Sequence, residues 1–508
     1  MTNIKNDRTE NISGSNNVKN IKDKVLYAAK QAKIRINNKV CDIKDLDFSI
    51  NKETWKHDYL EMEFTIQNQE VGKYHSYIFS LDNQLEIELN RITESGNEDW
   101  KNIFYGPIEN IDIELSAGER AKCKIKTYSE SVKMDKIKKY RSFLDPEITY
   151  KKIAEIIMET YELKYKLAPE LEQSIKHVYI QNGETDWQFL KRILSDVNIP
   201  LFSHLSEILF GKINSEEYLI DLSSSIYGRG RELGNILFKV NGTDPYNIGE
   251  KVSVQFEEDG RNMVGTKLVS KSYLFIEDNY IKCKCDLVDT GGFHKYEKYE
   301  NNTFIGKSIE GNVIEVVNSD GIAKLTLDLT QGLKKCIKDD SEEAYIDVYA
   351  GKWQIPYVTP YSSSNTGLFC TPEKGDNVKL FFGSNNEEDI YIQGAVNNPG
   401  NGRFSDYENR NFHVNNSDFN MIVAKDNFSV NAASSIVYSS ENITESAKII
   451  SNNSENHVET VRNDKTVIAK NINHTAAKNT TIKSNANTSI TANGVSTVSG
   501  GQKVNING

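Results

Sequence analysis

Few residues in this sequence could carry chemistry, and the cysteines are the first to consider. Six cysteines occur in 508 residues, and only Cys283 and Cys285 stand close together, in a segment whose pattern predicts a strand. Residues i and i+2 of a strand share one face, so the two thiols could form half of a zinc site. The sequence has no second cysteine pair at ligand spacing. We therefore expect strand cysteines without a metal rather than a zinc site.

Catalytic and cofactor-binding motifs do not occur in the sequence. It has no H-E-x-x-H, no G-x-S-x-G and no P-loop. The glycines of residues 228–234 lack the spacing of a dinucleotide-binding turn. Adjacent acidic residues such as Glu257 and Glu258 are typical of a solvated surface rather than of a catalytic pair. The sequence therefore predicts no catalytic residue, no cofactor and no enzymatic activity, and a hydrolase activity in the N-terminal half stays open as an alternative from another functional class.

The most regular pattern in the sequence is a repeat of eight residues near its C-terminus. The positions in phase are Ile450, Val458, Thr466, His474, Ile482, Ile490, Val498 and Ile506. Six of these side chains are β-branched aliphatics, in a tract made mostly of Asn, Ser, Thr, Ala and Lys. A period of eight is neither that of a helix nor that of a coiled coil. A short strand and a turn every eight residues, with one apolar side chain in constant phase, predict a narrow β-prism.

One chain could not form this prism by itself. It would bury too little apolar surface and would leave long unpaired strand edges. Three chains wound about one axis would bring the apolar column together and pair each backbone with its neighbours. The absence of proline after Pro399 fits this arrangement, because every amide is then free to bond. The sequence thus predicts an obligate homotrimer with a needle, a triple-stranded β-helix over residues 403–508.

His474 occupies the inward phase of the apolar column. In a trimer, three imidazoles would meet near the axis, where they could hold a metal ion or an anion. The other interpretation is a local drift in register that turns the imidazole towards water, and this second interpretation is favoured. We therefore assign no metal site and keep His474 as the axial candidate.

The residues before the needle divide into three regions. Residues 1–32 are polar and rich in Asn and Lys, which predicts a flexible leader. Residues 33–300 mix alternating apolar segments with helical patterns, which predicts an α+β hub. Residues 301–402 contain a strong hairpin signal and several short strands, which predict a barrel of the oligonucleotide/oligosaccharide-binding (OB) shape. The whole chain is therefore expected to be mainly β.

Two helices are expected in the hub. In the first, Asp145 and the early Pro146 precede an apolar stripe of helical spacing. In the second, Thr185 and Gln188 form a capping box. Trp187 invites a binding interpretation as an exposed aromatic residue, but its apolar neighbours favour packing in a core or between subunits.

Composition argues against several classes of function. The chain carries 61 Lys and Arg against 72 Asp and Glu, a formal net charge of −11. This acidity argues against nucleic acid as a partner, because phosphate neutralisation needs clustered cations. The barrel loops are acidic as well, with Glu373, Asp376, Glu387, Glu388 and Asp389. No apolar run has the length of a membrane-spanning helix, and the N-terminus lacks the apolar core of a secretory signal, so we expect assembly in the cytoplasm.

Three stretches of sequence carry a family resemblance. They are residues 179–194, with Thr185, Asp186, Trp187, Phe189 and Leu190; residues 353–378, with Pro372, Gly375 and Asp376; and residues 393–400. All three resemble features of VgrG-type spikes in type VI secretion systems and of phage-tail hub and spike proteins. The first stretch resembles the E-S-D-W-x-F-x-x-R-L-L helix of that family, and the second resembles its G-x-x-x-x-P-x-x-G-D-x-V run. The third resembles the segment that leads from the barrel to the needle. With the octads, the resemblance covers residues 33–508. Octads that are rich in Val or contain Val-Gly are common in that family, whereas this tail is rich in Asn, Ser and Thr.

The resemblance implies a structural spike that punctures a target-cell envelope. Its hub would dock on a tube of Hcp-like protein and on baseplate proteins, and a PAAR-like tip protein would cap the strand ends at Asn505, Ile506, Asn507 and Gly508. Effectors could travel with the spike, and neither a fused effector domain nor a lysozyme-like insert is expected. After assembly in the cytoplasm, the spike would be ejected into the extracellular space or a target cell. A phage-tail or tailocin hub-spike and a trimeric adhesin or fibre stay open as alternatives.

Overall fold

The computed structural model describes most of the chain and divides it into two units, Met1–Tyr407 and Glu408–Gly508, which are treated separately below. The described residues are 27–77, 79, 83–92, 98–115, 118–211, 217–221, 226–232, 235–242, 244–258, 261–294, 298–301, 303–337, 346–349, 351–363, 366–385, 387–396, 408, 410–414 and 419–505. Most of the expected leader, residues 1–26, therefore lies outside the described residues.

The first unit consists mainly of strands. In chain order they are β1 (Tyr27–Ala28), β2 (Ala32–Ile36), β3 (Lys39–Val40), β4 (Lys44–Glu53), β5 (Tyr59–Gln67), β6 (Gln84–Ile92), β7 (Glu98–Pro107), β8 (Asn110–Leu115), β9 (Arg120–Tyr128), β10 (Lys138–Phe143), β11 (Lys164–Leu167), β12 (Tyr179–Thr185), β13 (Leu201–His204), β14 (Glu207–Phe210), β15 (Glu217–Asp221), β16 (Ile226–Glu232), β17 (Asn235–Gly242), β18 (Lys251–Glu258), β19 (Arg261–Glu277), β20 (Tyr280–Val288), β21 (Ser308–Ser319), β22 (Ile322–Asp328), β23 (Ile346–Tyr349), β24 (Ile355–Pro356), β25 (Tyr361–Ser363), β26 (Thr366–Leu368), β27 (Asn377–Phe382) and β28 (Ile390–Ala395). The predicted mainly β fold is confirmed.

Short helices connect these strands. The α-helices are α1 (Val71–Tyr77), α2 (Tyr150–Met158), α3 (Asp186–Ser195), α4 (Thr290–His294) and α5 (Thr330–Cys336). Single 3-10 turns lie at Ala29–Gln31, Asn68–Glu70, Glu130–Asp135 and Pro169–Glu172. The helices of the hub thus include α1 and α4, which the sequence patterns did not predict.

The hub is built around one large, mostly antiparallel sheet. Its strand order is β16-β17-β20-β19-β4-β5-β9-β8, with β1 added on β20, β18 on β19 and β15 on β18. In β5 every second side chain from Leu60 to Ile66 is buried. The period-two pattern predicted this alternation, since neighbouring side chains of a strand point to opposite faces.

The first described strand lies inside the expected leader. Tyr27 of β1 pairs with Ile281 of β20, and only 3% of Tyr27 is exposed. The prediction of a flexible segment over residues 1–32 is therefore wrong for its last residues, because the short apolar run that includes Tyr27 and Ala28 pairs with β20.

The first predicted helix exists, but it begins later than the sequence suggested. Thr149, not Asp145, is the N-cap of α2: its hydroxyl accepts a hydrogen bond from the amide of Lys152 at 3.1 Å. Asp145 accepts instead from the amide of Glu147, in a turn that precedes the helix. Two residues with capping side chains compete here, and the extended backbone of Thr149 decides between them.

The barrel contributes a strand to the hub. The hub sheet β12-β10-β23 includes β23, which runs parallel to β10 with Tyr140 opposite Ile346. Parallel strands need a long connection, and here the connection passes through the first barrel strands. The position expected for a boundary, between residues 300 and 301, therefore lies within a single unit.

The barrel itself is a closed sheet. Its strand order is β24-β22-β21-β27-β28, and the amide of Val358, just after β24, donates to the carbonyl of Ile392 in β28 at 2.8 Å. The predicted hairpin turn lies at Asp320 and Gly321, both with positive φ, which matches the preference of this turn type for such residues. These features agree with the OB-like barrel that the sequence predicted.

The second unit begins with a small sheet and continues as an extended chain. Its strands β29 (Arg410–His413), β30 (Asn420–Val423) and β31 (Phe428–Asn431) pair in that order. The described residues 432–505 contain no strand, and every residue from 433 to 505 is exposed. The backbone bends at 433–434, 441, 448, 455, 462–463, 470, 477–478, 485–486, 493–494 and 501–502. Successive bends are thus seven or eight residues apart.

Gly332 in α5 gives a test of how the barrel packs. A Cβ at this position would overlap the carbonyl oxygen of Glu310 in β21, so Gly332→Ala must push the helix away from the sheet. We expect a loss of about 1–3 kcal/mol in unfolding free energy, seen as a lower midpoint of thermal unfolding. Gly72→Ala is the matched control, because a Cβ there meets no atom within 4 Å, and an equal loss in both variants would contradict the packing.

Candidate functional site

The helix that carries the first sequence motif is fixed by its predicted capping box. The hydroxyl of Thr185 accepts from the amide of Gln188, and the side chain of Gln188 accepts from the amide of Thr185, each at 3.2 Å. Thr185 also donates to the carboxylate of Asp135. Two amides that a helix start leaves unpaired are thereby satisfied, and α3 starts at a defined residue.

Asp186, the next motif residue, forms a fully buried ion pair with Arg141 of β10. Its two oxygens also accept from the side-chain amide Nε2 of Gln181 at 2.9 Å and from the hydroxyl of Tyr161 at 2.8 Å. A buried carboxylate needs such partners, because removal from water is costly for an unpaired charge. Asp186 therefore fastens α3 to the hub sheet.

Trp187 is a core residue. Only 3% of its surface is exposed, and the centres of its ring and of the His57 imidazole are 4.3 Å apart. Phe189 and Leu190 are fully buried in the same core. The surroundings of the indole are those expected from packing rather than from an exposed binding residue.

Arg192, one turn further along α3, joins the hub to the barrel. Its guanidinium donates two hydrogen bonds to Glu184, at 2.9 and 2.8 Å, and a third to the carbonyl of Ile180 at 2.9 Å. It also pairs with Glu387 from the loop between β27 and β28. Glu387 in turn accepts from the amide of Ile180 at 2.8 Å. Arg192 and the Ile180 amide thereby hold the barrel loop against the hub.

The charge states of this network follow from burial and pairing. Burial lowers the pKa of Arg192, but the two carboxylates outweigh burial and hold this pKa above its ordinary value. Burial raises the pKa of Glu387, against the opposing effect of Arg192. Glu387 is only 3% exposed, which corrects the expectation that it adds to an acidic loop surface. The sequence carried no signal of this contact, since the two residues lie 195 positions apart.

His177 forms a second polar contact at the same junction. Its Nε2 lies 3.3 Å from Asp196 and 4.0 Å from Glu388 of the barrel loop, and its Nδ1 bonds with the carbonyl of Val178 at 2.8 Å. Burial lowers the pKa of His177, but the hydrogen bonds and nearby carboxylates outweigh burial and raise the pKa above its ordinary value. A protonated His177 therefore stabilises the junction.

A cavity of about 420 Å³ beside Trp187 is lined by His57 and Asp135, and the buried Ser131 contacts His57. The hydroxyl of Ser131 lies 2.7 Å from Nδ1 of His57, and the carboxylate of Asp135 lies 3.4 Å from Nε2. Ser131 is fully buried and also bonds with Ser129 at 2.9 Å. A substrate could not reach this hydroxyl, so the geometry supports a structural polar chain and not a nucleophile.

Cys283 and Cys285 lie on one face of β20, as expected. Their sulfur atoms are 3.1 Å apart, and Ser272 lies 3.4 Å from the sulfur of Cys283. Both thiols are buried. Within the part of the chain that the structure describes, no group of three His, Cys, Asp or Glu residues could hold a metal ion.

The apolar column of the second unit is exposed along its described length. The exposed fractions of Ile482, Ile490 and Val498 are 77%, 80% and 74%. Each of these three residues follows the last residue of a bend by four positions in the sequence. His474, which is also exposed, follows the bend at residue 470 by four positions. Asn505 is exposed, whereas the other tip residues expected to meet a partner, Ile506, Asn507 and Gly508, lie outside the described residues. From His474 to Val498, the residues of the column thus occupy equivalent positions relative to the bends of the backbone.

These features define a hub-and-barrel protein whose buried polar residues hold its parts together. Across the described ranges, no helix is long and apolar enough to cross a membrane. No family model matches the chain, and no curated protein matches it.

Several solved structures resemble this chain. The E. coli protein c3393, a component of the type VI secretion system described as similar to the T4 bacteriophage tail proteins gp27 and gp5, aligns over 72% of this chain and 100% of its own, with 13% identity and a TM-score of 0.49. A chain of the half-lidded Francisella PdpA–VgrG complex aligns over 80% of this chain and 89% of its own, with 10% identity and a TM-score of 0.48. The 43 kDa tail protein of prophage MuSo2 from Shewanella oneidensis aligns over 52% and 98%, with 10% identity and a TM-score of 0.38. The chain is thus similar to a component of the type VI secretion system, to a chain of a PdpA–VgrG complex and to a prophage tail protein.

Removal of the Arg192 charge should destabilise the first unit. Arg192→Met leaves Glu184 and Glu387 buried without their cation, and we expect a loss of about 3–5 kcal/mol in unfolding free energy. Glu387→Gln keeps an acceptor for the Ile180 amide and should cost less. Thermal unfolding of both single variants and the double variant measures the coupling between the two residues.

The control for this experiment is an exposed ion pair. Lys151 pairs with Glu172 at 2.7 Å on the surface, so Lys151→Met should change the unfolding free energy by less than about 1 kcal/mol. Additive effects of Arg192→Met and Glu387→Gln would show that the two residues do not act together.

The His177 contact predicts a pH dependence. The folded-state pKa is raised above the ordinary value of 6.5, so the stability from protonated His177 is fully present below that value and is lost as pH rises through the folded-state pKa. The wild type should therefore be more stable than His177→Gln near pH 6, and the difference should shrink near pH 8.5. Unfolding midpoints across this range measure the effect. His75→Gln on the exposed side of α1 is the control, and a pH-independent difference for His177→Gln would contradict the assignment.

Proposed function

We propose that this protein is a homotrimeric structural spike of a contractile injection apparatus, of the VgrG type found in type VI secretion. The observation that carries the proposal is the exposed apolar column of the second unit, whose side chains from His474 to Val498 each follow a backbone bend by four residues. The order of hub, barrel and octad tail and the three sequence motifs support the same function.

Exposure of the column gives a physical reason for association. Burial of one Val or Ile side chain contributes about 1.5–3 kcal/mol. Side chains such as Ile482 and Ile490 lie more than three-quarters in water in the single chain. Three chains around a common axis would cover the column of each chain with those of the other two, which a single narrow chain could not do.

The backbone gives a second reason. The described residues 432–505 form no strand pairing within the chain, although side chains at some bends bond to the backbone, as Ser440 and Ser484 do. Unpaired strand edges in solution are a hazard that proteins generally cover. Pairing among three copies would cover them and stiffen the needle of residues 403–508.

We assign a different role to each of the three regions, in their order along the chain. The hub of residues 33–300 would bind a ring of Hcp-like tube protein and the baseplate, the barrel of residues 301–402 would act as a collar, and the needle would pierce the target envelope under a PAAR-like tip. Sheath contraction would supply the work, so the spike itself is proposed to be non-enzymatic, to bind no cofactor and to carry effectors as cargo. The phage-tail alternative shares the trimer and differs in the tube protein that the hub binds.

The trimer can be tested by mass measurement of the full-length protein. Light scattering should give about 173 kDa, three times the chain mass of 57.6 kDa. In the variant Ile482→Lys/Ile490→Lys, charges replace two column residues, and we expect loss of the trimer because burial of these lysines is unfavourable. Electron microscopy of the wild type should show a thin stalk.

Thr481→Lys/Ser489→Lys is the matched control, since it adds the same charge one residue before each column position, on the opposite face of an extended chain. This control should keep the trimeric mass. A monomeric wild type, or equal loss of mass in both variants, would contradict the proposed function.

A further inference from the structure

Charge is unevenly distributed along the second unit. Residues 411–464 contain three basic and seven acidic residues. Residues 465–508 contain five lysines and no acidic residue, so they carry +5 while residues 1–464 carry −16, within a net charge of −11. The sign of the charge therefore reverses along the needle.

The cationic residues also have regular positions. Arg462, Lys470 and Lys478 are eight residues apart, and each lies at a bend of the backbone. All three are exposed. Lys465 pairs with Glu459, but no acidic residue follows Asp464 in the sequence, so the lysines beyond it lack carboxylates from their own segment.

This distribution is not what solubility requires. A soluble surface is best served by interspersed charges of both signs, as in residues 411–464. Three parallel copies of an all-cationic segment repel one another, and this repulsion opposes assembly of the trimer. A segment that keeps such a disadvantage is suited to a ligand of opposite charge.

The chemistry of the segment narrows the choice of ligand. No aromatic residue follows Tyr438, so stacking on nucleic-acid bases cannot contribute. Lysine acts as a point charge, which suits a dense layer of phosphate groups without defined base edges. An anionic bilayer attracts lysines near its surface within about one Debye length.

We propose that residues 465–505 form a cationic docking surface that binds the phosphate headgroups of an anionic phospholipid bilayer. The proposal deepens the proposed function, because a spike must meet the target envelope before it penetrates it. Docking of this kind depends on the lysines and on salt, and not on insertion of the apolar column.

Vesicle co-sedimentation of the full-length protein tests the proposal. One set of vesicles contains phosphatidylglycerol and phosphatidylcholine in equal parts, and the other contains phosphatidylcholine alone. The wild type should bind the anionic vesicles at about 50 mM NaCl and lose most of this binding at about 300 mM. Lys470→Thr/Lys478→Thr should bind at least tenfold more weakly, and threonine keeps the β propensity of the tract.

The matched control removes two lysines from the acidic part of the unit. Lys425→Thr/Lys448→Thr makes the same change in net charge and should retain wild-type binding. Failure of the wild type to prefer anionic vesicles, or equal loss in the two variants, would overturn the proposal. Tighter binding to double-stranded DNA than to the anionic vesicles would assign the surface to nucleic acid and overturn it as well.

Light scattering on the same samples separates this proposal from the proposed function. Both variants should keep the trimeric mass, because the substituted lysines lie outside the apolar column. A trimer without lipid binding would refute the docking surface alone. A monomer that binds anionic vesicles through Lys470 and Lys478 would support the docking surface and refute the trimeric spike.

Discussion

The first unit depends on one constraint: a guanidinium that cannot lose its proton is buried where hub and barrel meet. Because the Arg192 guanidinium is buried away from water, its charge needs negative partners. These partners are Glu184 on the hub and Glu387 on the barrel loop. Because both carboxylates and the Ile180 amide converge on the same place, the loop has one low-energy position. A hydrophobic junction of similar volume could be as stable. The charged network additionally requires a defined geometry.

The same constraint gives the family-like motif of α3 a physical meaning. Thr185 sets where the helix starts, Asp186 fastens it to Arg141, and Arg192 reaches the barrel. Each residue connects α3 to a different element of the unit. A motif of this kind resembles a catalytic signature in its mixture of polar residues. Its polar groups, however, form hydrogen bonds and ion pairs with other residues of the same unit. The nearby Ser131, His57 and Asp135 follow the same principle, because their hydroxyl and ring nitrogens are already bonded.

Sequence reasoning succeeded where the determining interaction is local. The capping box of Thr185 and Gln188 spans four residues, the hairpin at Gly321 is set by its own turn, and the alternation of β5 lies within one strand. It was less accurate for α2, where Asp145 and Thr149 both offer a cap and the extended backbone of Thr149 selects the second. It could not find the pairing of Arg192 with Glu387 or of β10 with β23, because these contacts join residues about two hundred positions apart. No periodicity or composition records such a contact.

In the octad tail, the regular bends form within the single chain, but burial of the apolar column would require other chains. The bends behind residue 432 recur every seven or eight residues, so the chain's own preferences already set the turn period. From residue 470 onward, bend and column position keep a constant offset of four, which would place equivalent side chains of three copies at equivalent heights. What the single chain does not supply is cover for the column, since Ile482 and Ile490 lie mostly in water. If the turns are set before association, the chains lose less conformational entropy when they wrap around one another. A tail that is regular but uncovered is therefore suited to assembly, and its regularity would lower the free-energy cost of forming the proposed needle.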